Sequence, residues 1–298
     1  MAARGRSRRR RWLIVLAVVA VLAGSATWWA ISRLRTDTTP VSFDEAVEEF
    51  DERQPSTAPA PTSEPAAATS SSPSEPVTST ATSSGSAPTT SVVEPGVESL
   101  PEPGVYRFAT AGREQLSILN EPSRTYPDET PIVIEPQGCG VVVRWTPLQE
   151  RRETWEMCLE DGGVRLAGYT SVHEFFDQRE ERVLKCEPGL WLIPPPSTPP
   201  ESIGRCAGSG LTEERTTTVL GRTTVEVGGD EVPAVRIEVA VETSGSTEGR
   251  TTRRLTLAAA DAFPLVWVDE VANTTATAVG DADYEERLRL EAASLRPE

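Results

Sequence analysis

The chain begins with one long run of apolar residues, from Trp12 to Ile31, interrupted only by small or hydroxyl residues at three positions. As a helix, its twenty residues extend about 30 Å, the thickness of a membrane's hydrocarbon core. Six arginines precede the run, and Arg33 and Arg35 follow it closely. Because positive charge collects on the cytoplasmic side, we expect residues 1–11 to be a cytoplasmic tail and residues 12–31 a single transmembrane helix.

A cleaved signal peptide is the alternative interpretation of this run. Gly24, Ser25 and Ala26 are small residues of the kind found at signal cleavage sites. The apolar run nevertheless continues through Trp28 to Ile31, which favours a retained anchor. Under either interpretation the remainder of the chain is expected outside the cytoplasm.

Residues 32–53 form a juxtamembrane segment with one amphipathic pattern, from Val41 to Arg53. Ser42 and Glu45 have the spacing of a capping box. The apolar residues that share one helical face are Phe43, Ala46, Val47 and Phe50. The pattern predicts a short helix that either docks on a membrane partner or, as we favour, has little role of its own.

A change of composition follows in residues 54–99, which are Ser, Thr, Pro and Ala with scattered Glu. Such a segment cannot bury enough apolar area to offset the entropy lost on ordering. The composition predicts a disordered linker that holds the C-terminal part of the chain away from the membrane.

From residue 100 to residue 298 the pattern changes to short alternating stretches rich in Val, Thr, Ile and aromatic residues, separated by turn clusters. The predicted strands are Val105–Ala111, Gln115–Leu119, Ile132–Glu135, Gly140–Trp145, Thr154–Leu159, Val164–Asp177, Glu181–Cys186, Glu213–Leu220, Arg222–Val227, Val232–Glu242, Arg250–Ala258, Leu265–Asn273, Thr274–Val279 and Tyr284–Leu295. In the last of these stretches Tyr284 and Glu286 lie at the same alternate positions as Leu288 and Leu290, so a strand would place polar and apolar residues on one face. A helix is therefore an alternative there.

These stretches predict a mainly β domain with little helix. We expect a large curved antiparallel sheet, similar to a half-barrel, or two packed sheets. One face of such a sheet would be exposed to solvent, as the alternation of apolar and polar residues from Val235 to Glu242 indicates.

Charge is distributed unevenly along the chain. The formal net charge is −16, but the residues after position 35 carry 21 basic and 45 acidic groups, a net charge of −24. A surface of this sign repels nucleic acid, which we therefore exclude as a partner. Only Lys185 among the 29 basic residues is a lysine, a bias typical of a GC-rich genome such as that of an actinobacterium.

The four cysteines, Cys139, Cys158, Cys186 and Cys206, all lie in the part expected outside the cytoplasm. An even number in that compartment predicts two disulfide bonds, with three possible connectivities. Pairing of sequence neighbours would close two loops of about 20 residues, each worth roughly 3 kcal/mol of stability.

Few residues of the chain are candidates for catalysis or for binding a metal or cofactor. His173 is the only histidine, and it could act as a base beside a carboxylate, although a half-buried sheet histidine is the interpretation that we favour. A single histidine and four cysteines without CxxC spacing predict no metal site. Because there is no Gly-x-Ser-x-Gly elbow and no phosphate-binding loop, we expect neither a catalytic site nor a cofactor.

One apolar stretch stands apart from the predicted strands. Trp191, Leu192 and Ile193 are followed by a run of prolines, which is typical of an exposed loop or flap. A flap of this kind could cover a groove or contact a partner. We therefore take these three residues, with His173, as candidates for ligand or partner binding.

The C-terminal part of the chain resembles a known family. The stretch from Arg254 to Trp267 is followed by two long strands that end near Arg296. The order is a strand, a polar turn, Phe263-Pro264-Leu265, a strand, a hairpin and a last strand. This order resembles the LolA/LppX-like periplasmic lipoprotein and lipid carriers over roughly residues 211–296. The resemblance implies a curved, partly closed sheet and an apolar ligand, but the family's lipidation cysteine is absent here.

Together these observations predict a non-enzymatic extracytoplasmic β domain, anchored in the cell membrane, that binds an apolar ligand such as a lipid, or an envelope protein. A purely structural or protein-interaction module is the first alternative. A hydrolase that uses carboxylates or His173 is the second and less favoured one.

Overall fold

The computed structural model describes residues 38–53, 96–117, 123–175, 178–196, 198–277 and 280–298. The predicted transmembrane helix (12–31) and most of the predicted linker (54–95) lie outside these ranges. Within the described residues, no helix is both long enough and apolar enough to cross a membrane.

The described residues contain one helix and fourteen strands. They are α1 (Phe43–Arg53), β1 (Gly104–Leu116), β2 (Arg124–Thr125), β3 (Glu129–Gln137), β4 (Gly140–Leu148), β5 (Arg151–Glu160), β6 (Gly163–Phe175), β7 (Gln178–Cys186), β8 (Trp191–Ile193), β9 (Glu201–Gly208), β10 (Leu211–Val227), β11 (Asp230–Gly245), β12 (Thr247–Ala258), β13 (Pro264–Thr277) and β14 (Gly280–Ala292). The prediction of a mainly β domain is confirmed.

The sheet closes on itself into an antiparallel barrel of twelve strands. Its order is β1-β3-β4-β5-β6-β7-β9-β10-β11-β12-β13-β14, while β2 and β8 pair outside this ring with β1 and β6. Closure is made by β14, where Tyr284–Ala292 pair with Leu116–Phe108 of β1. The expectation of a half-barrel or two packed sheets is therefore corrected, because the first and last strands of the domain pair along most of their length.

Several predicted strand boundaries differ from the structure. Glu213–Leu220 and Arg222–Val227 belong to one strand, β10, whose register shifts between Val219 and Gly221. The glycine that indicated a turn instead marks a bulge, where one extra residue leaves the strand continuous. The two strands predicted within 265–279 likewise form the single strand β13 over the described residues. Strands β2, β8 and β9 were not predicted.

The alternation of strand direction gives the barrel two distinct ends. The β4–β5, β6–β7, β9–β10, β11–β12 and β13–β14 hairpins lie at one end, which we call the open end. The opposite end, which we call the apolar end, holds the start of β1 and the β5–β6, β10–β11 and β12–β13 hairpins.

The apolar end is filled by large side chains from opposite walls. The indoles of Trp155 on β5 and Trp267 on β13 are in contact, with ring centroids 3.4 Å apart, and Trp145 packs beside them. Tyr106 and Phe263 pack nearby with ring centroids 4.7 Å apart and their planes tilted by 52°. This half of the barrel is therefore a packed hydrophobic core, as is expected where large apolar side chains alternate inward along each strand.

Helix α1 packs on the outside of the barrel. Ala46 is buried against Val105 of β1 and Val133 of β3, and the guanidinium of Arg107 lies 3.9 Å from the centre of the Phe43 ring. The backbone N–H of Glu45 donates to Ser42 Oγ at 3.1 Å, as a capping box requires. The partner of this helix is thus the β domain itself.

Docking of α1 changes the expected role of the linker. On its N-terminal side Arg53 lies 3.4 Å from Glu135 of β3, and on its C-terminal side the Val97 N–H donates to Gly162 O at 2.8 Å. Both sides of residues 54–95 are therefore attached to the same barrel. These residues join two points of one domain and do not separate the domain from what precedes α1.

The four cysteines form two disulfide bonds, Cys139–Cys158 and Cys186–Cys206, with sequence separations of 19 and 20 residues. Both pair sequence neighbours and cross between adjacent segments of the sheet. Among the described residues, β7 and β9 pair only through Lys185↔Ala207 and Cys186↔Cys206, so the second disulfide closes the barrel at this narrow junction.

Candidate functional site

A cavity of about 360 Å³ occupies the interior of the barrel at its open end. Its wall combines apolar and aromatic side chains with hydroxyl, amide and charged groups. The apolar and aromatic residues are Leu116, Tyr169, Phe175, Leu184, Val271, Ala282 and Tyr284. The barrel is therefore filled at the apolar end and hollow at the open end.

The inward side chains of β13 show why the interior changes along the barrel. From the apolar end they are Trp267, Asp269, Val271, Asn273 and Thr275, at every second position as a strand requires. Trp267 is the only large side chain of this series, and the four residues that follow it are small. The small residues leave space between the walls, and that space is the cavity.

A layer of buried charged groups forms the floor of the cavity. We call this set the charge layer: Arg151 and Glu153 on β5, Arg253 on β12, Asp269 on β13 and Glu286 on β14. Arg151 Nη2 donates to Glu286 Oε2 at 3.1 Å, and Arg253 Nε donates to Asp269 Oδ1 at 2.8 Å. Because buried ions are stable only when they are paired, these contacts explain how charge persists inside the barrel.

The charge layer rests directly on the tryptophans of the apolar end. The guanidinium carbon of Arg253 lies 4.6 Å from the ring centre of Trp155 and 5.0 Å from that of Trp267. Contacts of this kind attract a cation to an aromatic face. The apolar core, the charge layer and the cavity thus follow one another along the barrel axis.

The pKa values of two carboxyl groups in the charge layer are shifted in opposite directions. Burial disfavours the charge of Glu153, but Arg151 and Arg253 together lower its pKa to about 2. Burial raises the pKa of Glu286 to about 7, since Glu153 and Glu114 oppose the ionisation that Arg151 favours. Near neutral pH Glu153 is therefore ionised, whereas Glu286 is divided between its two forms.

His173 lies on β6 and lines the cavity beside Phe175, which shares its face because the two residues are two positions apart on the strand. Its Nδ1 is 3.6 Å from Glu114 Oε2 and has no hydrogen-bond partner among the described residues. Burial, with the nearby charge of Arg151, lowers the pKa of this histidine. Its ring meets that of Tyr284 edge-on with ring centroids 5.0 Å apart, so His173 is a neutral aromatic part of the wall.

The wall of the cavity is incomplete beside β7. From Gln178 to Arg182 this strand pairs with β6 but with no other described strand. Arg182 reaches across the open side, where its Nη2 donates to Thr247 Oγ1 at the start of β12 at 3.2 Å. Arg179 and Glu180 also line the cavity here, so the mouth carries charges of both signs.

The expected flap at Trp191–Ile193 is corrected by the structure. These residues form strand β8, which pairs with Val164 and Arg165 near the start of β6, at the apolar end. Leu192 and Ile193 are buried, while Trp191 is half-buried. Leu192 and Ile193 belong to the hydrophobic core, and the structure does not bring the three residues together with His173.

Sequence reasoning missed the charge layer, although one signal was present. Glu286, Leu288 and Leu290 lie at alternate positions of one strand, so the glutamate points inward with the two leucines. This alternation indicates a charged group inside the barrel. Among the described residues, no group of three or more His, Cys, Asp or Glu side chains is placed to hold a metal ion.

Compared with protein-family models, with curated proteins and with solved structures, the chain matches none of them.

Proposed function

We propose that this protein is a non-catalytic binding domain, anchored in the membrane and facing the outside, that holds a small amphiphilic ligand in the cavity at the open end of its barrel. The observation that carries this proposal is the cavity itself. Its volume of about 360 Å³ falls within the range of small-molecule sites, roughly 300–1,000 Å³.

The chemistry of the wall supports an amphiphile. Leu116, Phe175 and Val271 offer an apolar surface to the body of a ligand. At the mouth Arg179 and Arg182 offer charged donors for a polar group, and the side chain of Arg179 is 48% exposed. The charged groups of the floor pair with one another, although Arg151 Nε has no hydrogen-bond partner among the described residues.

The surroundings of His173 support a binding role over a hydrolytic one. A general base must reach its proton within about 2.6–3.2 Å and is usually oriented by a hydrogen-bonded acid. The carboxylate of Glu114 is 3.6 Å away, and no hydrogen bond orients Nδ1 among the described residues.

Location outside the cytoplasm is supported by the two disulfide bonds, which persist in oxidising compartments. The anchor remains a prediction from the apolar run 12–31 and its flanking arginines. The predicted anchor and the cavity together favour the binding of an envelope component.

Native mass spectrometry of the full-length protein, released from its own membranes, tests the proposal. We expect a bound mass that organic extraction removes. Ala282→Trp places an indole in the cavity, because Ala282 is buried in its wall, and should abolish the bound mass. Ala272→Trp adds the same group to an exposed position of β13 and should leave it unchanged.

Two results would contradict the proposal. One is a wild-type protein that carries no bound mass. The other is a folded Ala282→Trp variant that retains the ligand to the same extent as the Ala272→Trp control.

A further inference from the structure

The buried charges around the floor of the cavity do not balance. Beside the charge layer lie two further ion pairs: Glu114 on β1 with Arg124 on β2, and Glu213 with Arg215 on β10. With these pairs the set comprises four arginines and five carboxyl groups, whose side chains are at most 12% exposed. If every group were ionised, the set would therefore carry one negative charge that none of its arginines balances.

Glu286 shares its one arginine with another carboxylate. Arg151 Nη2 lies 3.1 Å from Glu286 Oε2 and also pairs with Glu153, and no second arginine contacts Glu286 in the described part of the chain. Glu153 has Arg253 as a second partner, at 3.2 Å. Glu286 also lines the cavity, whereas Asp269 does not. The missing positive charge is therefore next to a carboxyl group that a ligand can reach.

A hydroxyl group of the cavity wall also lacks a partner. Ser171 lies opposite Glu153 in the pairing of β6 with β5, and it lines the cavity although it is only 4% exposed. Within the described ranges its hydroxyl makes no hydrogen bond. Buried hydroxyl groups usually have such a partner, so the cavity offers a free hydrogen-bond acceptor as well as an excess carboxylate.

We propose that the ligand is an amphiphilic organic cation, a protonated amine on an apolar body, whose ammonium group lies beside Glu286 at the floor of the cavity. This inference rests on the proposed function and names its ligand class. An ammonium group supplies one positive charge and several N–H donors, which are the two things that the carboxyl group of Glu286 and the hydroxyl of Ser171 lack.

The wall above the floor suits the apolar body of such a ligand. Leu116, Phe175 and Val271 each lie one inward position nearer the mouth than a titratable residue of the same strand. The rings of Phe175 and Tyr284 meet edge-on with centroids 6.3 Å apart. Aromatic rings attract cations as well as apolar groups, so this part of the wall is compatible with both parts of the ligand.

The arginines at the mouth do not offset the missing charge. Arg182 Nε donates to Glu180 Oε1 at 2.7 Å, and Arg179 Nη2 lies 3.9 Å from Glu181 Oε2, so each has its own carboxylate. The residues after position 35 carry a net charge of −24. A field of this sign attracts cations to the domain and repels anions.

Binding of the cation should compete with a proton on Glu286, whose pKa burial raises to about 7. The titratable and charged groups that face Glu286 are Glu114, Tyr126, Arg151, Glu153, His173 and Tyr284. Burial raises the pKa values of the two tyrosines, whereas hydrogen bonds and nearby arginines, against the effect of burial, lower those of Glu114 and Glu153. Burial lowers the pKa of His173, so Glu286 is the group of this set that changes charge near pH 7.

Isothermal titration calorimetry tests this inference with three probes of one chain length: hexylammonium, 1-hexanol and hexanoate. The sample is the full-length protein in detergent micelles, washed until native mass spectrometry shows no bound mass. At pH 8 we expect hexylammonium to bind at least about tenfold more tightly than either other probe. About 90% of Glu286 is ionised at pH 8 and about 1% at pH 5, so the affinity for hexylammonium should fall about ninetyfold between them.

Glu286→Gln removes the charge and keeps the shape of the side chain. In this variant the affinity for hexylammonium at pH 8 should fall at least about tenfold and lose its dependence on pH, while that for 1-hexanol stays the same. Glu285→Gln is the matched control, because Glu285 is exposed at the adjacent position of β14, and it should bind all three probes as the wild type does.

The outcomes separate this inference from the proposed function. Tighter binding of 1-hexanol or hexanoate than of hexylammonium would overturn the ligand class and leave the binding function intact. A pH dependence that persists in Glu286→Gln would assign it to His173 and overturn the position of the ammonium group beside Glu286. Binding of none of the three probes would overturn this inference, and the proposed function fails with it only if the unwashed protein also carries no bound mass.

Discussion

Arg253 Nη2 on β12 lies 3.2 Å from Glu153 Oε2 on β5, and these two strands are six positions apart in either direction around the twelve-stranded ring. One ion pair thus connects opposite walls of the barrel. It does so at the level where the packed core ends and the cavity begins. The same guanidinium also holds Asp269, so Arg253 balances two buried carboxylates.

Removal of Arg253 should therefore destabilise the barrel strongly. Arg253→Met leaves Glu153 and Asp269 buried without this partner, and breaking a buried pair typically costs about 3–5 kcal/mol. The measurement is the free energy of unfolding in urea. Arg254→Met is the matched control, because Arg254 points outward, is half exposed and pairs with Glu238 at the surface, where the expected cost is below about 1 kcal/mol. Equal losses in the two variants would show that the ion pair does not support the barrel.

The β architecture was predictable because it rests on local alternation, which the sequence carries directly. The alternation from Val235 to Glu242 corresponds to β11, and the stretch beginning at Tyr284 is β14, for which a helix had been an alternative. Closure between β1 and β14 was not predictable, since it depends on pairing between residues more than 160 positions apart.

The candidate site was less predictable than the fold. His173 was recognised as a residue of interest, but its neighbours in the cavity come from strands distant in sequence, and nothing in the local pattern brings Arg151 close to Glu286. The apolar stretch at Trp191 was interpreted as a flap because of the prolines after it. A three-residue strand carries too little alternation to be distinguished from an apolar loop.

The stability of the protein should depend on the ionisation of Glu286. Its pKa of about 7 in the folded protein exceeds the ordinary value of 4.5, so the folded state binds this proton more tightly than the unfolded state. Stability from this group is therefore present at low pH and is lost as the pH rises from about 4.5 to 7, by up to about 3 kcal/mol.

Glu286→Gln removes this titration. Measured by thermal unfolding between pH 5 and pH 8, the variant should lose less stability than the wild type as the pH rises and should be the more stable protein at pH 8. Glu285→Gln, at the adjacent exposed position, should retain the wild-type dependence. A wild-type profile that does not differ from that of Glu286→Gln would place the pKa of Glu286 near its ordinary value.

The two disulfide bonds should contribute differently to local stability. Their loops have nearly the same length, so the loop-entropy model assigns each roughly 3 kcal/mol. Cys139, in the turn just before β4, is joined to Cys158 of β5, and β4 and β5 are already paired along their length, whereas Cys186–Cys206 lies at the narrow junction of β7 with β9. Replacement of Cys186 and Cys206 by Ser should therefore open that junction.

Hydrogen exchange distinguishes this effect from a general loss of stability. In the Cys186→Ser, Cys206→Ser variant, amide exchange should accelerate most in β7 and β9. The Cys139→Ser, Cys158→Ser variant should lose a similar total free energy without that local acceleration. The same exchange rates in β7 and β9 for both variants would contradict the role assigned to the junction.

Docking of α1 should depend on the small buried side chain of Ala46. Ala46→Asp places a carboxylate against Val105 and Val133, where it has no partner, and should detach the helix at a cost of about 2–3 kcal/mol. Glu48→Asp is the control, since Glu48 is exposed on the opposite side of the helix and the change carries only a helix-propensity cost below about 1 kcal/mol. Exchange of the α1 amides should become fast in the first variant and stay slow in the second. Fast exchange of the α1 amides in both variants, or in neither, would contradict the role assigned to Ala46.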